Sequence, residues 1–362
     1  AADVYVVSPH ILGGAVFEEL LDLPLAAIIV DESTLFKSPD AKKVEVLHQL
    51  SKRAMYREVM SADPAPKDVG ELWAQFEFLM PGFLGTYDQF CNEYGTSTKY
   101  GYVFKDDIAK QAVLEKIKPH CVMMTMNDLW PDRPAEHLVP VMCEMGEQQQ
   151  RLYASMQDDF RLRINEKDIE AGVPMAQLMK LREITAGFVY DARGKAQRIP
   201  NHAKALALKK LIRERLMKRD AKGNTVIEQA IIWTQFKDEY GMLEELLTKW
   251  GISHGFLTGR DGKSFQAMRD FTGRRIRFLV THPRTASHGL RFPQCRNQIF
   301  YSMMYSPDEF TQARLRTYRP PQVRDCYQYL LLCTGTVDEE IWAVQQGHQQ
   351  WHEMAHRILS PQ

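Results

Sequence analysis

No apolar run in this 362-residue sequence approaches the roughly 20 residues needed to cross a bilayer, and its start, Ala1-Ala2-Asp3, has neither a basic n-region nor an apolar h-region. An intracellular protein with no membrane partner is expected. The six cysteines (Cys91, Cys121, Cys143, Cys295, Cys326, Cys333) form no CxxC pair and no regular spacing, which argues against a disulfide framework or a cysteine-held zinc. Buried free thiols are the expectation. Net charge is also lacking, with 46 basic against 46 acidic residues, so a histone-like polycation is excluded. Lysine is missing from one long stretch: Phe271 to Arg324 holds ten arginines and only two acids, Asp308 and Glu309. Guanidinium groups bind phosphate oxygens bidentately, so the stretch suits a nucleotide or a nucleic-acid backbone. A solvated basic face is the alternative. Finally, no glycine-rich loop with lysine precedes Asp31, because Gly13-Gly14 is followed by Ala15-Val16.

What is present fits a globular chain of two domains, at 44% hydrophobic and 25% charged. It opens on a strand-like run, Val4 to Val7, with no initiator methionine, which suggests a fragment or a processed product. A helical stretch around Phe17 to Leu21 leads to Ala26-Ala27-Ile28-Ile29-Val30, which ends in Asp31-Glu32. A short apolar run ending in acids is how a buried parallel strand delivers polar groups to its C-terminal edge, where open α/β sheets bind ligands. Glu58 to Met60 and Cys121 to Thr125 read as further strands, around an aromatic-rich helical insertion at 69–118. A second helical block spans 147–188, and Arg193 to Asn201 is a polar, turn-rich link. Beyond it, strands at Ala230–Trp233, His254–Leu257, Ile276–Val280, Gln298–Tyr301 and Tyr327–Cys333 alternate with helical segments, which implies a parallel sheet covered by helices.

Two motifs carry chemistry. In Ile28-Ile29-Val30-Asp31-Glu32-Ser33-Thr34, an aspartate at a strand end can hold magnesium and the next acid can orient and deprotonate water. Acids in that place also cap helices. In Gln312-Ala313-Arg314-Leu315-Arg316-Thr317-Tyr318-Arg319, a helix would put Gln312, Arg316 and Arg319 on one face, so that both guanidiniums converge on one anion. A surface salt-bridge ladder is the alternative.

Taken in order, the motifs resemble the Swi/Snf-type branch of superfamily-two helicases, particularly its compact phage and bacterial members. The matching residues are the Asp-Glu-Ser-Thr box with Phe36-Lys37-Ser38-Pro39, Pro64-Ala65-Pro66 leading into Leu72 to Phe76, and Lys180 to Ile184. Leu257-Thr258-Gly259, Thr281-His282-Pro283, His288-Gly289-Leu290, Gln312 to Gln322 and Thr336-Val337-Asp338-Glu339 follow. The resemblance implies two RecA-like parallel-sheet α/β domains with helical insertions, the first truncated at its N-terminus, with ATP in the cleft and DNA across both. It divides the chain into a partial first domain (1–146), a helical protrusion and linker (147–200) and a second domain (201–362).

By position, the resemblance makes Asp31 the Mg2+ ligand, Glu32 the activator of water and Arg316 and Arg319 the arginine fingers, with Gly289 and Gln312 near the nucleotide. Ser61 and Asp63 would couple hydrolysis to movement, while Thr258, Thr281 and His282 would touch the DNA backbone without reading sequence. Two departures stand out: Ala62-Asp63 replaces the usual Gly-Thr, and Pro321-Gln322 the usual Gly-Gln. In this fold the phosphate-binding loop belongs before Ala1, on an upstream segment or another chain. The implied activity is an ATP-dependent DNA translocase or helicase, cytoplasmic or nucleoid-associated, or in a host's cytoplasm if phage-encoded. A non-hydrolysing nucleic-acid-binding or assembly scaffold is the rival.

Two further motifs read as decoys. Gly262-Lys263-Ser264 looks like the tail of a phosphate-binding loop, but the first glycine would fall on Leu257. His352-Glu353-Met354-Ala355-His356 matches a zinc-peptidase helix, without a downstream third ligand.

Overall fold

A computed structural model describes residues 4–347 except 10, 63, 66–67, 99–100, 105, 125, 166–172, 192, 260 and 287–289. The His352 to His356 decoy, Asp63 and Gly289 therefore lie outside the described residues. The chain divides into two compact units, 1–129 with 347–362, and 130–346. That division comes earlier than the boundary expected at 146.

The first unit contains α1 (Gly14–Leu21), β1 (Ala27–Asp31), α2 (Lys42–Ser51), β2 (Tyr56–Met60), α3 (Trp73–Leu79), α4 (Tyr87–Tyr94), the hairpin β3 (Thr96–Thr98) and β4 (Gly101–Val103), α5 (Asp107–Ile117) and α6 (Met126–Leu129). β1 and β2 pair in parallel, with Asp31 opposite Met60, so the chain leaves both strands at the same sheet edge. Val44 and Leu47 of α2 and Ala74 and Phe78 of α3 bury Val30 from one side. On the other side Ile29 is 62% exposed among the described residues, although the apolar run reads as a strand covered on both faces.

The aromatic-rich insertion has its own core, with Phe76, Phe90, Phe104, Val113 and Leu114 packed together. Two expected strands do not form. Val4 to Val7 joins no ladder, and Cys121 to Met124 is unpaired even though its burial alternates, with Cys121 and Met123 packed on the insertion core and Val122 and Met124 exposed. A strand needs a neighbour's N–H and C=O groups as well as an alternating pattern.

The second unit begins at β5 (Glu136–Cys143), α7 (Glu147–Asn165) and α8 (Val173–Ala186), followed by the hairpin β6 (Phe188–Tyr190) and β7 (Ala196–Arg198), α9 (Ala203–Leu211) and the hairpin β8 (Met217–Arg219) and β9 (Thr225–Ile227). Then come β10 (Ala230–Trp233), α10 (Lys237–Lys249), β11 (His254–Leu257), α11 (Gly262–Thr272), β12 (Phe278–Thr281), α12 (Pro283–Ala286), β13 (Asn297–Phe300), α13 (Pro307–Arg314) and β14 (Cys326–Cys333). Six strands form one wholly parallel sheet in the order β11-β12-β10-β13-β14-β5.

Every residue of β10, β12 and β13 is buried, and alternate residues feed opposite faces. Ile231, Trp233, Leu279 and Phe300 meet Tyr153, Leu181 and Ile184 from α7 and α8, with Phe310 of α13. Ile232, Val280 and Ile299 meet Leu208 of α9 and Leu243 and Leu247 of α10. The fold is thus α/β and doubly wound. The block expected as a protrusion supplies, through these residues, one covering layer of the sheet. The link expected near Arg193 to Asn201 contains strand β7, folded against β6 by Asp191, which accepts from the backbone N–H of Arg193 and Lys195.

Candidate functional site

In the first unit, Asp31 ends β1 with its carboxylate exposed, and its Oδ1 accepts from the Glu32 amide at 2.9 Å. Glu32 has φ 52°, a left-handed conformation that costs a non-glycine residue roughly 1–2 kcal/mol and gathers at functional sites. It starts the short 3-10 turn Ser33–Phe36. That turn is clamped from behind. The buried Ser33 hydroxyl donates to Gln75 Oε1 at 2.6 Å, and Gln75 Nε2 donates to the carbonyls of Pro64 at 2.6 Å and Glu71 at 2.9 Å. Lys37 adds an ion pair with Glu71 at 2.9 Å.

One buried amide thus ties the acidic box to the Pro64 segment after β2, where Ser61 lies half-buried. Sequence reading passed over Gln75 as part of an aromatic helix. The signal was there: a polar residue on the face that carries Leu72 and Phe76.

In the second unit, the expected contact residues gather at the C-terminal edge of the sheet, where Thr281 lies opposite Leu257 and Trp233 in register. Thr258 is exposed there. Thr281 is not: it is fully buried and its hydroxyl donates to the Leu257 carbonyl at 2.9 Å, so it fixes the edge rather than facing a ligand. His282 is half-buried, burial pushes its pKa down, and its Nδ1 accepts from the Arg284 amide at 3.1 Å, which describes a neutral ring. The Gly262-Lys263-Ser264 decoy is spent internally. Asp261 caps α11 by accepting from the Ser264 amide at 2.7 Å, and the buried Ser264 hydroxyl accepts from the amides of Thr258 and Gly259. A carboxylate therefore occupies the helix end that a phosphate would need.

The arginine motif departs from the expected helix face. α13 stops at Arg314 because its final carbonyl accepts from Gln298 Nε2 at 2.7 Å, which also donates to Thr317 Oγ1, while the Phe292 amide donates to the Arg316 carbonyl at 2.8 Å. Gln312 remains on the helix, whereas Arg316 and Arg319 lie in the turns beyond it. Arg316 is 9% exposed and donates to the Leu290 carbonyl at 3.2 Å. Arg319 is half-buried beside Arg291, and burial, together with the Arg291 charge, lowers its pKa. No carboxylate pairs with Arg319 among the described residues. A half-buried guanidinium without a carboxylate partner is suited to an anion.

A polar cluster that sequence reading gave no role sits behind this edge. Lys204, fully buried, pairs with Asp338 at 2.9 Å, and Asp338 also accepts from the Thr185 hydroxyl and the Cys333 amide. Asp338 belongs to the Thr336-to-Glu339 box, whose place here is structural.

Comparison with known proteins bears on all of this. Residues 2–187 match the SNF2-related domain and residues 204–321 the helicase conserved C-terminal domain. An uncharacterized ATP-dependent helicase, MG018, of Mycoplasma genitalium is 20% identical over 89% of this chain and 30% of its own length. The putative ATP-dependent helicase/translocase YwqA of Bacillus subtilis is 23% identical over 94% of this chain and 36% of its own. Human DNA excision repair protein ERCC-6 is 23% identical over 87% and 22%. The chain thus spans little more than a third, or less, of these relatives, which include eukaryotic as well as bacterial proteins. Among solved structures, the SWI2/SNF2 ATPase core of Sulfolobus solfataricus in complex with dsDNA is 21% identical, over 94% of this chain and 75% of that one, with a TM-score of 0.45.

Proposed function

The chain belongs to the SNF2-related family of helicase-like ATPases, and from that premise we propose that it is the motor portion of an ATP-dependent DNA translocase or helicase, acting in an intracellular, DNA-associated setting. The observation that carries the proposal is Arg319, half-buried in the turns beyond α13 with no carboxylate paired to it among the described residues, and with the charge of Arg291 acting on it. Such a guanidinium fits the charge that develops on a transferring γ-phosphate, where one well-placed arginine supplies about 10³ to 10⁵ in rate.

The acidic box fits the rest of the chemistry. Asp31 is exposed at a strand end with one oxygen engaged by a backbone amide, which leaves the other for Mg2+ or its water shell. When bound, the ion would neutralise phosphate oxygens. Glu32 orients and deprotonates the attacking water, and Arg319 takes up charge as the γ-phosphate leaves. Ser33 and Gln75 carry the change at the acidic box to the segment after β2, in which Ser61 and Asp63 stand, so that movement follows hydrolysis. Gly289 and Gln312 border the nucleotide, and Thr258 and His282 meet the DNA backbone.

The rival is a scaffold that binds nucleic acid without turnover, and the burial of Arg316 on the Leu290 carbonyl favours it, because of the two expected fingers only Arg319 has no carbonyl or carboxylate partner among the described residues. ATP hydrolysis measured with and without duplex DNA separates the two. The protein should be used as its gene encodes it, with any sequence before Ala1. DNA-stimulated turnover is expected, and DNA binding without turnover would establish the scaffold instead.

A further inference from the structure

The ten arginines of the 271–324 stretch do not form one patch. Arg284, Arg314 and Arg275 are paired with Glu309, Glu136 and Asp270 at 2.5, 2.7 and 2.5 Å, and Arg291, Arg316 and Arg319 belong to the site above. The remaining four, Arg274, Arg277, Arg296 and Arg324, line a cavity of about 150 Å³ at the opposite, N-terminal edge of the six-stranded sheet.

They stand just ahead of strands β12, β13 and β14, with Glu228 and Gln229 ahead of β10 between them. At the 4.7–4.9 Å spacing of neighbouring strands, the row is about 14 Å long. Successive phosphates on one strand of duplex DNA rise about 3.4 Å along the axis while winding round it, so a row this long spans two or more phosphates rather than one point anion.

The cavity has donors to spare. Glu228 is its one acid and is engaged by Arg296 at 2.8 and 3.0 Å, and Arg324 donates to the Gln294 carbonyl at 2.7 Å. The side chains of Arg274 and Arg277 have no carboxylate or carbonyl partner among the described residues. Gln294 Nε2 and Arg296 Nε, both on lining residues, are buried without a hydrogen-bond partner there. The lining holds no aromatic ring on which a base could stack, which favours a duplex backbone over an unpaired strand.

We propose that this edge is a second, sequence-independent contact for the phosphate backbone of duplex DNA, separate from the helicase motifs at the other edge. The inference rests on the DNA-motor reading. Its test is the salt dependence of duplex binding by the full natural protein and by the double variant Arg274→Asn, Arg277→Gln. Asparagine is chosen because Arg274 has φ 61°, which asparagine tolerates.

Each phosphate contact contributes about 0.9 to the slope of log K against log salt, so the variant's slope should be shallower by about 2, with its thermal midpoint unchanged and Arg→Lys at both positions restoring the slope. An unchanged slope in a folded variant overturns the inference and leaves the motor reading intact. So does an unchanged slope combined with loss of binding to polyglutamate, which would make the edge a site for acidic peptides. If the unaltered protein binds no duplex DNA, the motor reading fails as well.

Discussion

Arg316 and Arg319 are three residues apart and face opposite demands. Replacing Arg319 with alanine is expected to lower DNA-stimulated turnover about 10³-fold or more while changing nucleotide affinity less than tenfold, read from kcat and KM. Replacing Arg316 should instead lower the unfolding midpoint, because the Leu290 carbonyl loses its buried charged donor. An Arg319→Ala protein with unchanged kcat removes that residue from the mechanism.

His202 offers a separate test. Its Nδ1–H donates to the Ile199 carbonyl at 3.1 Å and its Nε2 accepts from the Tyr301 hydroxyl at 2.6 Å, and burial lowers its pKa from 6.5 to about 4. The folded state holds the ring neutral while the unfolded chain protonates it, so stability present above pH 6.5 is lost as pH falls from 6.5 towards 4. The loss reaches about 3 kcal/mol. His202→Gln should flatten urea-derived stability across that range. Gly187, at φ 106°, gives the ring its room, since a Cβ there would meet His202 Cδ2 at 2.3 Å. Residue types at the acidic box were legible in the sequence. The tautomer of His202 and the different partners of the two arginines were not, because each depends on a residue about 30 to 100 positions away.

Elements were legible where period and composition agreed. The all-buried strands β10 and β12 announce themselves as apolar runs between helical segments, and β13 by Ile299-Phe300 after two buried polar residues, Asn297 and Gln298. β5 did not, because Pro140 interrupts it, yet it forms the edge of the sheet, where a missing N–H is tolerated. The end of α13 was hidden too, since Gln298, on another strand, determines it.

Long-range clamps of this kind make the element-scale predictions. Gln75→Ala leaves the Ser33 hydroxyl and the Pro64 and Glu71 carbonyls without their partner. It should cost about 1–3 kcal/mol in chemical denaturation and lower kcat for DNA-stimulated hydrolysis without a matching change in KM. A stability loss with kcat intact would make Gln75 a packing residue alone. Asp338→Ala strands Lys204 in the interior and should cost about 3–5 kcal/mol, whereas replacing both partners with leucine-sized apolar residues should recover most of that.

At the scale of the whole molecule, a chain of zero net charge gathers four arginines of the 271–324 stretch around one cavity at the N-terminal edge of the sheet, which composition could not disclose. Motif order along nearly the entire sequence pointed to the family, and the SNF2-related and helicase C-terminal matches bear that out. The acidic box and the free arginine belong to separate compact units, so a motor requires both to act on the same nucleotide. The most direct measurement is ATP hydrolysis by the full natural protein, with and without duplex DNA, beside its Glu32→Gln variant. Hydrolysis stimulated by DNA and reduced about 10²-fold or more by the substitution is expected, with DNA binding retained. Hydrolysis indifferent to both DNA and Glu32 would contradict the motor reading.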